Sequence, residues 1–267
     1  IVSAAMCLVV IAWNAHSRYP LLLAANRDEE HARPAAAAHW WDDAPGAFGG
    51  RDLVGGGSWL GVHRNGRYAL VLNHPARPPA PEHTASRGEL VRNWLGGNGD
   101  LATGYLQRVR ERESDYPGFT LVVGASGPRG PEGFVTPAGR AGSQWRFAEG
   151  ITALSNSPRE DPLPKALWLE QRLQSILGSD DPDLEDVFAA LGRRDPVVAT
   201  AEAQRIGRLR ATPFLVGQRY GTRASTIVAF DRNGQCRFVE RRFGPGGEPA
   251  GETAVEFALD GATLPTP

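Results

Sequence analysis

Residues 7–29 read CLVVIAWNAHSRYPLLLAANRDE, and the fold is decided there. Two apolar runs, 7–13 (CLVVIAW) and 20–25 (PLLLAA), flank a polar turn over 14–18. Each run has strand length and no helical period, which predicts strands buried on both faces. Working outward, 58–63 and 67–73 form a hairpin around Asn65-Gly66, a strong short-range turn signal. Residues 86–95 (SRGELVRNWL) start a helix that Ser86 caps, with Glu89 completing a capping box. A second helix covers 101–113 and ends before Pro117. Strand character returns at 119–124 and 151–154, with a Gly- and Pro-rich hairpin or loop over 127–142 between them. Apolar residues at helical spacing mark 165–177 and 184–191. Strands then close the chain at 225–231, 235–243 and 253–259, the first two joined at Asn233-Gly234. Strands and helices come in blocks, so the order predicts one α+β domain and not a doubly wound sheet.

Composition narrows the function classes. Hydrophobic residues make up 41% and charged residues 22% of 267, the balance of a soluble globular chain. A net charge of −1 gives no electrostatic basis for binding nucleic acid or an anionic membrane. The apolar stretch 4–13 is too short to span a bilayer and follows no basic region, Arg18 being the first cation. A cytoplasmic protein with no stable membrane insertion is expected. Two cysteines, Cys7 and Cys236, exclude a disulfide framework and a four-cysteine zinc site. Lys165 is the single lysine among 29 basic residues, an Arg-rich usage that suits a GC-rich bacterial genome. Met6 is the single methionine and directly precedes Cys7. It is expected to be the start residue, with 1–5 a tag or upstream extension and 7–267 one domain.

Several groups carry possible chemistry. Asn26-Arg27-Asp28-Glu29 follows directly on a buried strand, a placement that suits a site as well as a solvated turn with a salt bridge. Gly49-Gly50 and Gly55-Gly56-Gly57 flank Arg51-Asp52 without the Gly-Lys-Ser/Thr of a phosphate loop. They predict a tight loop against a pocket. Six histidines fall between His16 and His83, beside Trp40-Trp41, without metal-ligand spacing, so no metal is expected. Cys236 lies in a strand and reads as a packed side chain.

Met6-Cys7, residues 23–29 (LAANRDE), the 49–61 segment, Ser86-Arg87-Gly88 and Leu154-Ser155-Asn156-Ser157 together resemble the NRDE family, which includes the relatives of transport and Golgi organisation protein 2. Pro164-Lys165 ends the last block as that family's pattern does, and the match runs from Cys7 to about Phe230. The order of motifs is also similar, more distantly, to the penicillin V acylase and choloylglycine hydrolase group of N-terminal nucleophile (Ntn) hydrolases. That resemblance implies a four-layer αββα sandwich of two antiparallel sheets, with Cys7 as a nucleophile exposed at the mature N-terminus. It implies further that Asp28 orients the nucleophile, that Asn73 and Asn156 bind the oxyanion, and that Arg223 matches a late active-site arginine.

An N-terminal cysteine carries nucleophile and base in one residue, since its amine and thiol titrate within about one unit of each other. The expected reaction is hydrolysis of a small acyl amide or acyl thioester through an acyl-enzyme on Cys7. Arg27 or Arg223 would hold the nucleophile's surroundings or a substrate carboxylate. Trp40, Trp41 and Trp59 are candidates to line an apolar substrate pocket. No cofactor is required for hydrolysis. The family resemblance also implies a rival reading, a non-catalytic carrier of haem or acyl-coenzyme A on the same scaffold.

Overall fold

The computed structural model describes residues 7–74, 85–97, 101–127, 130–138 and 144–260. Met6, and with it the expected start and upstream extension, lies outside the described residues. The strands are β1 (Leu8–Trp13), β2 (Leu21–Glu30), β3 (Ala35–Trp40), β4 (Ala47–Asp52), β5 (Leu60–His63), β6 (Arg67–Asn73), β7 (Phe119–Gly127), β8 (Gly130–Pro137), β9 (Trp145–Arg146), β10 (Gly150–Ser155), β11 (Tyr220–Phe230), β12 (Gln235–Phe243) and β13 (Pro249–Ala258). The helices are α1 (Arg87–Leu95), α2 (Ala102–Glu111), α3 (Pro164–Ile176), α4 (Leu184–Leu191), α5 (Thr200–Ile206) and α6 (Arg208–Ala211).

The chain divides into two compact units. One holds residues 5–32 and 149–256, and the other is built mainly from 33–148. The first unit contains a six-stranded sheet in the order β10-β1-β2-β11-β12-β13, antiparallel in the pairings of its first five strands. Every residue of β1 is buried, which is why that strand reads as an unbroken apolar run. Asn14, with φ of 47°, turns the chain from β1 toward β2, and its N–H donates to the Pro20 carbonyl at 2.8 Å. Asparagine tolerates that left-handed conformation better than most residues. One face of this sheet packs Leu8, Val10, Leu22, Ala24 and Ile227 against Leu169 and Leu173 of α3 and Val187 and Leu191 of α4.

The second unit has a seven-stranded antiparallel sheet in sequential order from β3 to β9. Ala69, Leu121 and Val123 pack there against Leu90 and Trp94 of α1 and Leu106 of α2. The Ser86–Glu89 capping box is formed as expected. So is the β5–β6 hairpin, with Gly66 at φ of 87° in its turn. Gly57 lies directly against the backbone of Gly88, where any Cβ would collide, and the Ser58 N–H donates to the Gly88 carbonyl at 3.1 Å. Two sequence blocks of the family resemblance therefore meet: the glycine-rich loop is shaped by the start of α1.

The structure has the expected α+β class with two antiparallel sheets, each carrying helices. Several elements were not read from the sequence, among them β3, β4, the short β9 and helices α5 and α6. β3 (AAAAHW) and β4 (AFGGRD) have too little β-branched or alternating apolar character to announce strands. Gly49 is nevertheless required in β4, because a Cβ there would stand 2.6 Å from the Leu60 carbonyl oxygen of β5. Within 127–142, β8 is a full partner of β7.

Candidate active site

The β1–β2 register places the polar tetrapeptide. Leu8 pairs with Asn26 on β2 and with Ser155 on β10. Continuing both ladders by one residue brings Cys7 between Arg27 on one side and Asn156 on the other. Side chains alternate along β2, and the four polar residues accordingly divide into two sets.

Asn26 is 1% exposed. Its Nδ2 donates to the Leu191 carbonyl at 2.9 Å and to the Pro213 carbonyl at 3.0 Å. Its Oδ1 accepts from the Ser225 hydroxyl at 2.6 Å. Asn26 thus ties β2 to the end of α4 and to β11, a structural role within a segment read as a site. Asn26→Ala strips the donor from two carbonyls and the acceptor from a buried hydroxyl. We expect a loss of about 2–3 kcal/mol in urea unfolding, because each buried polar group left unsatisfied costs on the order of 1–3 kcal/mol.

Asp28 is also 1% exposed. Its Oδ1 accepts from the Thr222 hydroxyl at 2.6 Å, and its Oδ2 lies 3.6 Å from Lys165 Nζ. Thr222 is fixed in turn by the Leu215 N–H, which donates to its Oγ1 at 2.8 Å. Lys165 is fully buried in the first turn of α3. Burial pushes the Asp28 carboxyl up to about 6, against the opposing pull of Lys165, Thr222 and Arg27. Burial likewise holds Lys165 below the ordinary lysine range, against Asp28 and Cys7, which favour its charged form.

The Cys7 thiol is pushed up to about 11 by burial and by the Asp28 charge, against the Asp28 backbone N–H, which favours its charged form. Arg27 likewise favours the charged form of that thiol. The Arg27 side chain is 6% exposed, with Nη2 3.9 Å from Glu29 Oε2. One aspartate therefore acts on the thiol through its amide and its charge, and meets the lysine through its carboxylate.

Arg223 occupies a β-bulge, since the β11–β2 register slips between Thr222 and Ala224. Bulges re-aim side chains at strand ends, and Arg223 Nη1 donates to the Glu30 carbonyl at 3.3 Å. Arg27 and Asp28 on β2 and Arg223 on β11 thus lie near one end of the sheet, where Cys7 directly precedes β1 and Asn156 directly follows β10. Asn73 ends β6 in the other unit, paired with Phe119. Trp41 is a core residue at 2% exposure whose indole N–H donates to the Gly49 carbonyl at 2.8 Å. Trp40 packs edge-on to Phe48 and under the Arg64 guanidinium, and Trp59 precedes β5. Lys165 and Thr222 were not anticipated as site residues. The signal for Lys165 was its uniqueness in an arginine-rich chain and its place in the Pro164-Lys165 block; nothing in the sequence marked Thr222.

Among the described residues no cluster of three or more His, Cys, Asp or Glu side chains is placed to hold a metal. No helix among them is long and apolar enough to cross a membrane.

Comparison with known proteins places the chain. The family model described as Transport and Golgi organisation 2 matches residues 6–245. The Transport and Golgi organization protein 2 homologue of Bos taurus is 29% identical over 259 residues, covering 88% of this chain and 92% of the relative. The Homo sapiens homologue is 28% identical over 268 residues with the same coverage, and both relatives are animal proteins. Among solved structures, a mutant of the conjugated bile acid hydrolase from Clostridium perfringens superposes with a TM-score of 0.50 at 12% identity. That match covers 97% of this chain and 95% of the hydrolase, and it shows a shared Ntn-hydrolase fold.

Proposed function

The chain belongs to the Transport and Golgi organisation 2 family, and on that premise we propose that it is a cysteine hydrolase of small acyl amides or acyl thioesters. The observation that carries this reading is the buried Asp28 carboxylate, held at 3.6 Å from Lys165 and hydrogen-bonded by Thr222, whose charge acts on the Cys7 thiol. A buried carboxylate between a thiol and an ammonium is costly to build for packing alone, and perturbed groups of this kind concentrate at functional sites.

In the proposed reaction the Cys7 sulfur attacks the substrate carbonyl and its proton passes to a base. With Cys7 as the first residue, its own α-amine fills that role. The tetrahedral intermediate places negative charge on the former carbonyl oxygen, where the Asn156 amide donates a hydrogen bond. Collapse breaks the C–N or C–S bond, the leaving amine or thiol takes the proton, and water then cleaves the acyl-enzyme. Arg27 and Arg223 supply guanidinium forks for an anionic group on the substrate.

Rapid quenching of the protein with an N-acyl p-nitroanilide or an acyl thioester, followed by peptide mass analysis, tests the reading. The acyl mass is expected on the peptide holding Cys7 and not on that holding Cys236. A carrier of haem or acyl-coenzyme A predicts saturable binding without any adduct, and that result overturns the hydrolase.

A further inference from the structure

Lys165 enters no step of the proposed reaction, yet it is fully buried and aimed at Asp28. The groups facing Asp28 are few. The Cys7 thiol stands just ahead of β1, β2 contributes Arg27, with Glu29 acting on the thiol, β11 contributes the Thr222 hydroxyl with Arg223 at the adjoining bulge, and α3 contributes Lys165. Arg27 lies 3.9 Å from Glu29, so part of its charge is already answered there. Lys165 is the cation whose ammonium meets the Asp28 carboxylate directly.

That geometry has a consequence for the thiol. An ionised carboxylate beside a sulfur opposes a second negative charge there. Any reaction through Cys7 creates that charge, however briefly. A buried ammonium at 3.6 Å from Asp28 Oδ2 offsets the carboxylate and so reduces its opposition to charge on the sulfur. Thr222 holds the other carboxylate oxygen, so the group cannot swing away from Lys165 without losing a 2.6 Å hydrogen bond.

We propose that Lys165 is a positioning residue of the Cys7 site, which offsets the charge of Asp28, fixes its carboxylate and thereby lowers the cost of forming the Cys7 thiolate. The inference rests on Cys7 being the reactive group of the proposed hydrolase. It does not need acyl turnover, because thiol alkylation reads the sulfur directly and can succeed where hydrolysis fails.

The test is the rate of Cys7 alkylation by iodoacetamide from pH 5 to 10 in the full chain, located by peptide mass, with Cys236 as internal control. In Lys165→Met the uncompensated carboxylate is expected to raise the apparent thiol pKa by a unit or more. Alkylation at pH 8 should fall about tenfold, since one unit is a tenfold change in thiolate fraction. Lys165→Arg, which keeps the charge, should restore the rate to within about threefold. The double variant Lys165→Met/Asp28→Asn, which removes both charges, should also recover, and it keeps the test open where the single variant folds poorly. An unchanged pH profile in folded Lys165→Met overturns the proposal, as does failure of both the arginine and the double variant to recover reactivity.

Discussion

Cys7→Ala is expected to abolish turnover, with a fall on the order of 10⁴-fold or more in kcat/KM for whichever acyl substrate is used. The magnitude follows from the chemistry: the acyl-enzyme route has no covalent intermediate without the sulfur. No other thiol can stand in. Cys236 is fully buried on β12, and burial holds its thiol far above the ordinary cysteine range. Alanine removes one sulfur from a partly exposed residue just ahead of β1, so the thermal midpoint should stay within a few degrees. Activity and folding are thereby separated. Steady-state hydrolysis beside thermal unfolding checks the result, and undiminished hydrolysis in the variant would falsify the Cys7 mechanism.

Lys165→Met should carry the largest stability effect of any single replacement at the site, about 3–5 kcal/mol at neutral pH. That is the usual cost of stranding one member of a buried ion pair. Methionine fills much of the lysine volume, so the loss reports the charge more than a cavity. Adding Asp28→Asn should recover most of it, because the double variant buries no uncompensated charge. A double-mutant cycle by urea denaturation measures the coupling. The pH dependence has a definite sign. The Asp28 carboxyl titrates at about 6 in the folded protein, above its unfolded value near 3.8. Its protonated form is the one the fold prefers, and that advantage is lost as pH rises through about 6. Removing Lys165 pushes the carboxyl higher still, so the deficit of Lys165→Met should be smallest near pH 4 and grow toward pH 8.

Much of this arrangement was legible in the residues. The runs 7–13 and 20–25 are strands because a sheet covered on both faces needs no polar alternation, and their continuity gave the pairing that brings Cys7 beside the Asn26–Glu29 segment. The capped helix and the glycine turns were legible because capping and left-handed turns demand particular side chains. β3 and β4 were hidden, since alanine and glycine record the closeness of their neighbours more than any strand preference. The site was only half visible. Asn26 and Asp28 look alike in a string of polar residues and share a face of β2, yet one ties the strand to α4 and the other meets Thr222 and Lys165, a distinction set by position along the strand. Lys165 opens a helix whose apolar period names the core residues and is silent about a polar one that points the same way. Thr222 pairs with Asp28 across 194 residues of chain, a distance over which no local pattern operates.

That same separation sets a timetable for biosynthesis. The β1–β2 hairpin leaves the ribosome with both outer edges open, because β10 and β11 arrive only after the other unit has been made. At roughly 5–20 residues per second, the interval between Asp28 and Thr222 lasts about ten to forty seconds. Throughout it, Leu21, Leu22 and Leu23 lack the β11 strand that later covers their edge, and such unpaired apolar edges are where nascent chains associate wrongly. A nascent chain arrested before β11 would carry every residue of the polar tetrapeptide and still have no Thr222 to anchor its aspartate.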